Sequence, residues 1–210
     1  MRLRSFTVLV AMVAASAVLA AQGQPPRRSM SPEGTASVQV QGKWEDGRYV
    51  GGSWIDISYG RPLLRGREAF TGTGADFGKN VYPDAPVWRA GANLSTRLKT
   101  PVALVIGDKA VPPGEYSLFI EMKGENAWTF IVSSWGQAKQ FNAPISEGIF
   151  GAYNYTPEKD VVRTSMRVDA LPYEVEQLTW QFVDMTASGG RMALLWDKTM
   201  ASVPFAFGRP

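Results

Sequence analysis

The densest set of side chains capable of chemistry lies between residues 61 and 93. Arg61, Arg65, Arg67 and Arg89 each present a planar fork of donors that matches a carboxylate or a phosphate. Trp88 offers a ring that stacks on a guanidinium or on a ligand ring. Asn93 adds an amide that both donates and accepts. Gly91 lets the backbone turn sharply, so that Trp88, Arg89 and Asn93 can converge although they are close in sequence. Arg61, Trp88, Arg89 and Asn93 therefore form the candidate ligand site, suited to a carboxylate or other small anion with the Trp88 ring as one wall. A structural account competes with it. A long loop over a sheet has orphan carbonyls to satisfy, and Arg89 paired with a carboxylate such as Glu115 or Asp56 would pin that loop in place.

What the chain lacks narrows the chemistry further. It has no histidine and no cysteine. That removes the commonest general base, the usual zinc ligand and the Ser-His and Cys-His nucleophile systems. Catalysis would fall to carboxylates, Lys, Tyr, Arg or a metal held by oxygen ligands. Asp56, Asp84, Asp108, Glu115, Glu147 and Asp160 are available, but a glycosidase needs two carboxyl groups about 5–10 Å apart across a cleft, and no spacing here sets that up. Gly72, Gly74 and Gly78 lie in a loop with no helix after them, so they do not make a phosphate-binding loop. No catalytic residue, metal site or cofactor is assigned.

The elements that must position these residues have a period of two. Ile55, Ile57 and Tyr59 alternate with polar neighbours, as do Val38 and Val40. So do Tyr116, Leu118, Ile120 and Met122, then Trp128, Phe130 and Val132, then Val162 to Val168. Leu178, Trp180 and Phe182, Met192, Leu194 and Trp196, and Val203, Phe205 and Phe207 complete the series. Such strands have one buried and one wetter face, as in antiparallel sheets. Asp46-Gly47 suits a tight hairpin, Pro113-Gly114 carries type II turn chemistry, and Gly124-Glu125-Asn126 and Ser188-Gly189-Gly190 separate strands that should pair. These patterns predict an all-β, antiparallel, jelly-roll-like β-sandwich of about ten strands. Two stretches, 61–96 and 137–157, are too long for plain connections, and their aromatic content predicts docking on the sheet rather than disorder. Trp44, Trp54 and Trp135 fall outside the inward registers. They are either exposed rings for stacking on sugars or covers for sandwich edges and loops.

The N-terminal residues form a different unit. Arg2 and Arg4 precede an apolar run from Ser5 to Ala21, and Val18-Leu19-Ala20 suits signal peptidase. The run is short and diluted for a spanning helix, which needs about 20 apolar residues. The expected division is a signal peptide at 1–20, a flexible leader at 21–34 and a single β-sandwich domain at 35–210. Cleavage after Ala20 changes 22 basic against 19 acidic residues into 20 against 19, a formal charge of +1. A near-neutral chain exerts no general pull on nucleic acid. Without cysteine it has neither disulfides nor a lipid-attachment residue. The expectation is a periplasmic or secreted protein with no membrane span after cleavage and no nucleic-acid partner.

Three separate strings occur in order: Tyr59-Gly60-Arg61-Pro62 with Val87-Trp88-Arg89-Ala90-Gly91-Ala92-Asn93, then Pro113-Gly114-Glu115-Tyr116-Ser117-Leu118-Phe119, then Leu194-Leu195-Trp196-Asp197. With these strings the chain resembles the bacterial family called domain of unknown function 2911, over roughly Thr35 to Phe205. The resemblance implies export and a compact domain but no activity or catalytic residues. The leading functional expectation is a non-catalytic envelope module that binds a small anionic ligand, a glycan or a protein partner. A carboxylate-based hydrolase acting on a glycan and a purely structural envelope domain are the alternatives.

Overall fold

The computed structural model describes residues 29–208. The proposed signal peptide and most of the leader lie outside the described residues. Ten strands are present among them: β1 (Glu33–Glu45), β2 (Arg48–Gly60), β3 (Thr96–Thr100), β4 (Leu104–Ile106), β5 (Lys109–Val111), β6 (Gly114–Met122), β7 (Trp128–Ser133), β8 (Asp160–Ser165), β9 (Arg167–Thr186) and β10 (Gly189–Phe207). They form a six-stranded sheet of order β1-β2-β3-β6-β7-β8 and a four-stranded sheet of order β5-β4-β10-β9. Every pairing between strands is antiparallel. This is the sandwich that the alternation predicts.

The core lies between the sheets and is built from the alternating positions. Ile55, Ile57, Leu98, Leu118, Ile120, Phe130 and Val132 from the larger sheet meet Leu104, Ile106, Leu178, Trp180, Met192, Leu194 and Val203 from the smaller one. The β1–β2 hairpin turns at Asp46-Gly47, both with positive φ, as its two-residue loop requires. The β6–β7 hairpin turns through 123–127, where Lys123 N–H donates to Ala127 O at 2.9 Å.

Two local expectations are corrected. Gly114 does not take positive φ, so Pro113-Gly114 is not a type II turn. Pro112-Pro113 instead carries the chain from β5 in the small sheet to β6 in the large one, and the Tyr116 hydroxyl donates to Pro112 O at 2.8 Å to hold the crossing. The apolar run from Val162 to Val168 is not one strand. It breaks at Met166, where the chain leaves β8 and enters β9 in the other sheet.

Burial in β6 and β7 is two-sided. Phe119 and Ile131 face away from the main core yet are fully buried, in a second cluster with Val87, Trp135, Ile149, Ala152 and Tyr155. The stretch 134–157 lies over the outer face of the large sheet and makes this cluster. The docking predicted for 137–157 is therefore met, and the wetter face expected for these strands is covered.

Candidate functional site

The stretch 61–95 leaves the end of β2 and returns at β3. Gly60 marks its root. A Cβ on Gly60 would stand 2.1 Å from Ala92 O, and Ala92 N–H donates to Gly60 O at 3.2 Å. Leu63 bridges Gln177 of β9, and Trp88 bridges Ile120 of β6 through two 2.8 Å backbone bonds. Between them, Asn80 accepts from Thr71 N–H and donates to Ala69 O, each at 3.0 Å. Ala69 N–H in turn donates to Asp197 Oδ2 at 3.1 Å. The bend after Trp88 uses positive φ at Ala90 and Asn93, and the Ala90 carbonyl accepts from Thr96 Oγ1 and from Trp180 Nε1.

This frame brings three of the four candidate residues together. Trp88, Arg89 and Asn93 line a cleft of about 440 Å³, with Arg67 on one side and Phe141, Phe150 and Tyr153 on the other. Arg61 is not there. Its Nε donates to Leu178 O and its Nη2 to Thr179 Oγ1, both at 3.3 Å, which ties β2 to β9 beside a different groove. Trp88 contributes little surface. It is 1 % exposed, donates from Nε1 to Gly91 O at 3.1 Å, and stacks on Trp196 at 6.2 Å and 19°. The two indoles form the floor of the cleft rather than a stacking wall.

Arg89 is half-buried and projects into the space between the two long stretches. Its Nη1 donates to Asn93 O at 2.6 Å, and its guanidinium lies 5.5 Å from the centre of the Tyr153 ring. The carboxylates expected to hold it are engaged elsewhere. Asp56 accepts from Ser37 Oγ at 2.5 Å, and Glu115 lies 3.8 Å from Arg97 and 3.5 Å from Lys99. Asn93 is exposed and donates from Nδ2 to Ser31 O at 3.0 Å. Among the described residues no Asp or Glu lines the cleft, so they supply no carboxylate pair there.

The chain belongs to the DUF2911 family. The family described as protein of unknown function (DUF2911) matches residues 38–205, which span all but the ends of the sandwich. Neither a search of curated proteins nor one of solved structures gives a match. In this DUF2911 chain the Arg89 and Pro113 strings serve different ends: the first bends around the cleft, while the second crosses between sheets and starts β6.

The far wall was not legible residue by residue. Phe141, Phe150 and Tyr153 form a cluster with edge-on rings 4.9 and 6.0 Å apart, and Phe141 is 65 % exposed. Only the aromatic content of 137–157 pointed that way. The stitches between the two stretches are Ser95 Oγ to Gly151 O at 2.5 Å and Gln137 Nε2 to Ser95 O at 2.7 Å. Trp135, expected as a surface ring or a loop cover, is a cover: it is 6 % exposed and donates from Nε1 to Thr156 O at 3.0 Å. Trp44 and Trp54 are exposed, at 71 % and 54 %. Among the described residues no helix is long and apolar enough to cross a membrane.

Proposed function

We propose that this chain is an exported cell-envelope binding module that takes a small anionic ligand bearing a ring, seated in the cleft between residues 61–95 and 137–157. One observation carries the reading. Arg89 enters an aromatic-walled cleft with a single neutral hydrogen-bond partner, Asn93 O, and no carboxylate within ion-pair reach among the described residues. A guanidinium in that position has donors left for a carboxylate or similar anion. The exposed Phe141 ring and the Tyr153 ring offer the apolar face that a sugar or aromatic ring needs. Sites of this kind pair a largely apolar wall with a few placed polar groups. Export rests on the Arg2, Arg4 and Ser5-to-Ala21 pattern.

The test is thermal unfolding with benzoate, an anion with a ring and no hydroxyl groups, as probe. A ligand present at about ten times its Kd adds about 1.4 kcal/mol to the native state. For a domain of this size that raises Tm by about 3–6 °C. The expected result is such a rise in wild type and its loss in Arg89→Gln. An equal rise in Arg89→Gln, or none with benzoate at tens of millimolar, overturns the reading.

A further inference from the structure

A second cationic group lies on the outer face of the large sheet, on the other side of the Ala92–Asn93 ridge from the cleft. Arg97 is on β3, directly opposite Ser58 of β2 and Ser117 of β6. Thr35 of β1 continues the same transverse row beyond Ser58. Two hollows of about 270 and 410 Å³ meet there, and both are lined by Ser58, Arg97 and Gln137. These three polar residues are shared by the two hollows, which together make a groove across the sheet.

The bonding of Arg97 is lopsided. Its side chain is 19 % exposed. Nη1 makes both of its hydrogen bonds, to Ser117 Oγ at 2.8 Å and to Trp135 O at 2.9 Å, and both partners are neutral. The nearest carboxylate, Glu115, stands 3.8 Å from Nη2, beyond hydrogen-bond reach, and is itself 59 % exposed and shared with Lys99. Arg163 and Arg191 show the ordinary solution: each donates to a carboxylate at 2.8–2.9 Å. Arg97 has no such partner among the described residues, and burial pushes its pKa down against the opposing pull of Glu115. Among the described residues the Nε and Nη2 edge, which in arginine pairs side-on with a carboxylate, makes no hydrogen bond, and Arg97 lines both hollows.

We propose that this groove is a second anion site, in which the Nε/Nη2 edge of Arg97 takes the carboxylate of a small hydroxylated acid and Ser58 and Gln137 take its hydroxyl groups. Gln137 lines both hollows; its Nε2 is spent on Ser95 O, which leaves its side-chain oxygen as the acceptor it can offer. Ser58 is exposed and supplies a hydroxyl that rotates to suit. Lys99 reinforces the positive charge, and Glu115 and Glu33 oppose it. Glu115 acts as a tethered competitor for the same edge. A ligand carboxylate displaces it, and its own exposure lets it swing aside.

The probe is glucuronate, with glucose as its neutral counterpart, titrated into the full chain while the Arg97 Nε–H resonance is followed by NMR. The expected result is a saturable shift with glucuronate and none with glucose. Glu115→Gln removes a like charge a few ångströms from the ligand and should tighten binding at least about threefold. Ser58→Ala should weaken it. Arg97→Gln should abolish it, and Glu115→Gln keeps the test decisive if that variant loses its fold. The shift should persist in Arg89→Gln, so the two sites fail separately. A shift with glucose, a shift that disappears with Arg89, or unchanged affinity in Glu115→Gln overturns the proposal.

Discussion

The two long stretches that cross this sandwich are held in different ways. Residues 61–95 send Leu64, Tyr82 and Trp88 into the main core. There Phe70 lies edge-on to Trp88, Trp128 and Trp196, at 5.5, 4.9 and 5.6 Å. Residues 134–157 reach no further than the satellite cluster on the sheet's outer face, and polar latches hold them. The adjacent residues Val87 and Trp88 show the divide. Because the chain is extended there, Val87 points to the satellite cluster and Trp88 to the core. The first stretch is therefore part of the fold, and its opening is tied to global unfolding. The second is a cover that can lift while both sheets stay paired, which places the mobile side of the cleft at Phe141, Phe150 and Tyr153.

The largest expected effect falls on the first stretch. Trp88→Ala removes a large, 1 % exposed ring that packs on Phe70 and Trp196. It should cost about 3–5 kcal/mol of global stability. Denaturant unfolding measures this, and a loss near that of a surface substitution would show that the first stretch is no more integral than the second.

The middle effect concerns the latch at 155–163. The Tyr155 hydroxyl donates to Asp160 Oδ2 at 2.5 Å, and Arg163 Nη1 donates to both groups at 2.9 Å. Tyr155→Phe should cost about 1.5–3 kcal/mol, the range for a hydrogen bond to a charged group. The loss should appear first as faster amide exchange across 135–157, with the strands still protected. Burial, and then Asp160, raise the Tyr155 pKa, and burial also raises those of Tyr82 and Tyr116. Below about pH 10 these phenols are protonated in both states. Above it the unfolded chain ionises first and binds fewer protons than the native one, so stability falls as pH rises. Tyr155→Phe should make that alkaline fall shallower. Equal slopes in wild type and variant would show that the latch does not titrate.

The sequence carried the sandwich because alternation reports one buried face, and Ile55, Ile57, Leu118 and Phe130 all lie where that period puts them. It did not carry the second buried face. Phe119 and Ile131 sit at positions that read as wet until another segment covers them, and no local pattern announces a cover that arrives from residues 134–157. The same limit applies to the site. Trp88, Arg89 and Asn93 converge because a local bend brings neighbours together. Arg61 reads identically in sequence but is taken by Leu178 and Thr179, more than a hundred residues away. Arg97 lies at a polar position of a five-residue strand, too short for alternation to single it out, and its unpaired edge depends on where β2, β6 and the cover place their groups.

The smallest expected effect is at the seam where the two stretches meet. Arg89 touches both: Asn93 O on the first and the Tyr153 ring on the second. A buried, carboxylate-paired arginine leaves a stranded charge when its partner is lost, at a cost of about 3–5 kcal/mol. Arg89 has no such partner among the described residues. Its single hydrogen bond goes to the carbonyl of the exposed Asn93, which water can satisfy in its place, and its contact with Tyr153 is at the long end of cation–π range. Arg89→Ala should therefore cost about 1 kcal/mol, with a hydrogen bond and a partly solvated cation–π contact as the whole of the loss. Amide exchange should quicken near Gly151 and Tyr153, where the Arg89 side chain now packs, and stay unchanged in β6 and β7. A loss of several kcal/mol with the strands deprotected would mean that the seam holds the fold together. Arg89 would then belong with Trp88 in the architecture and not with the walls of a ligand cleft.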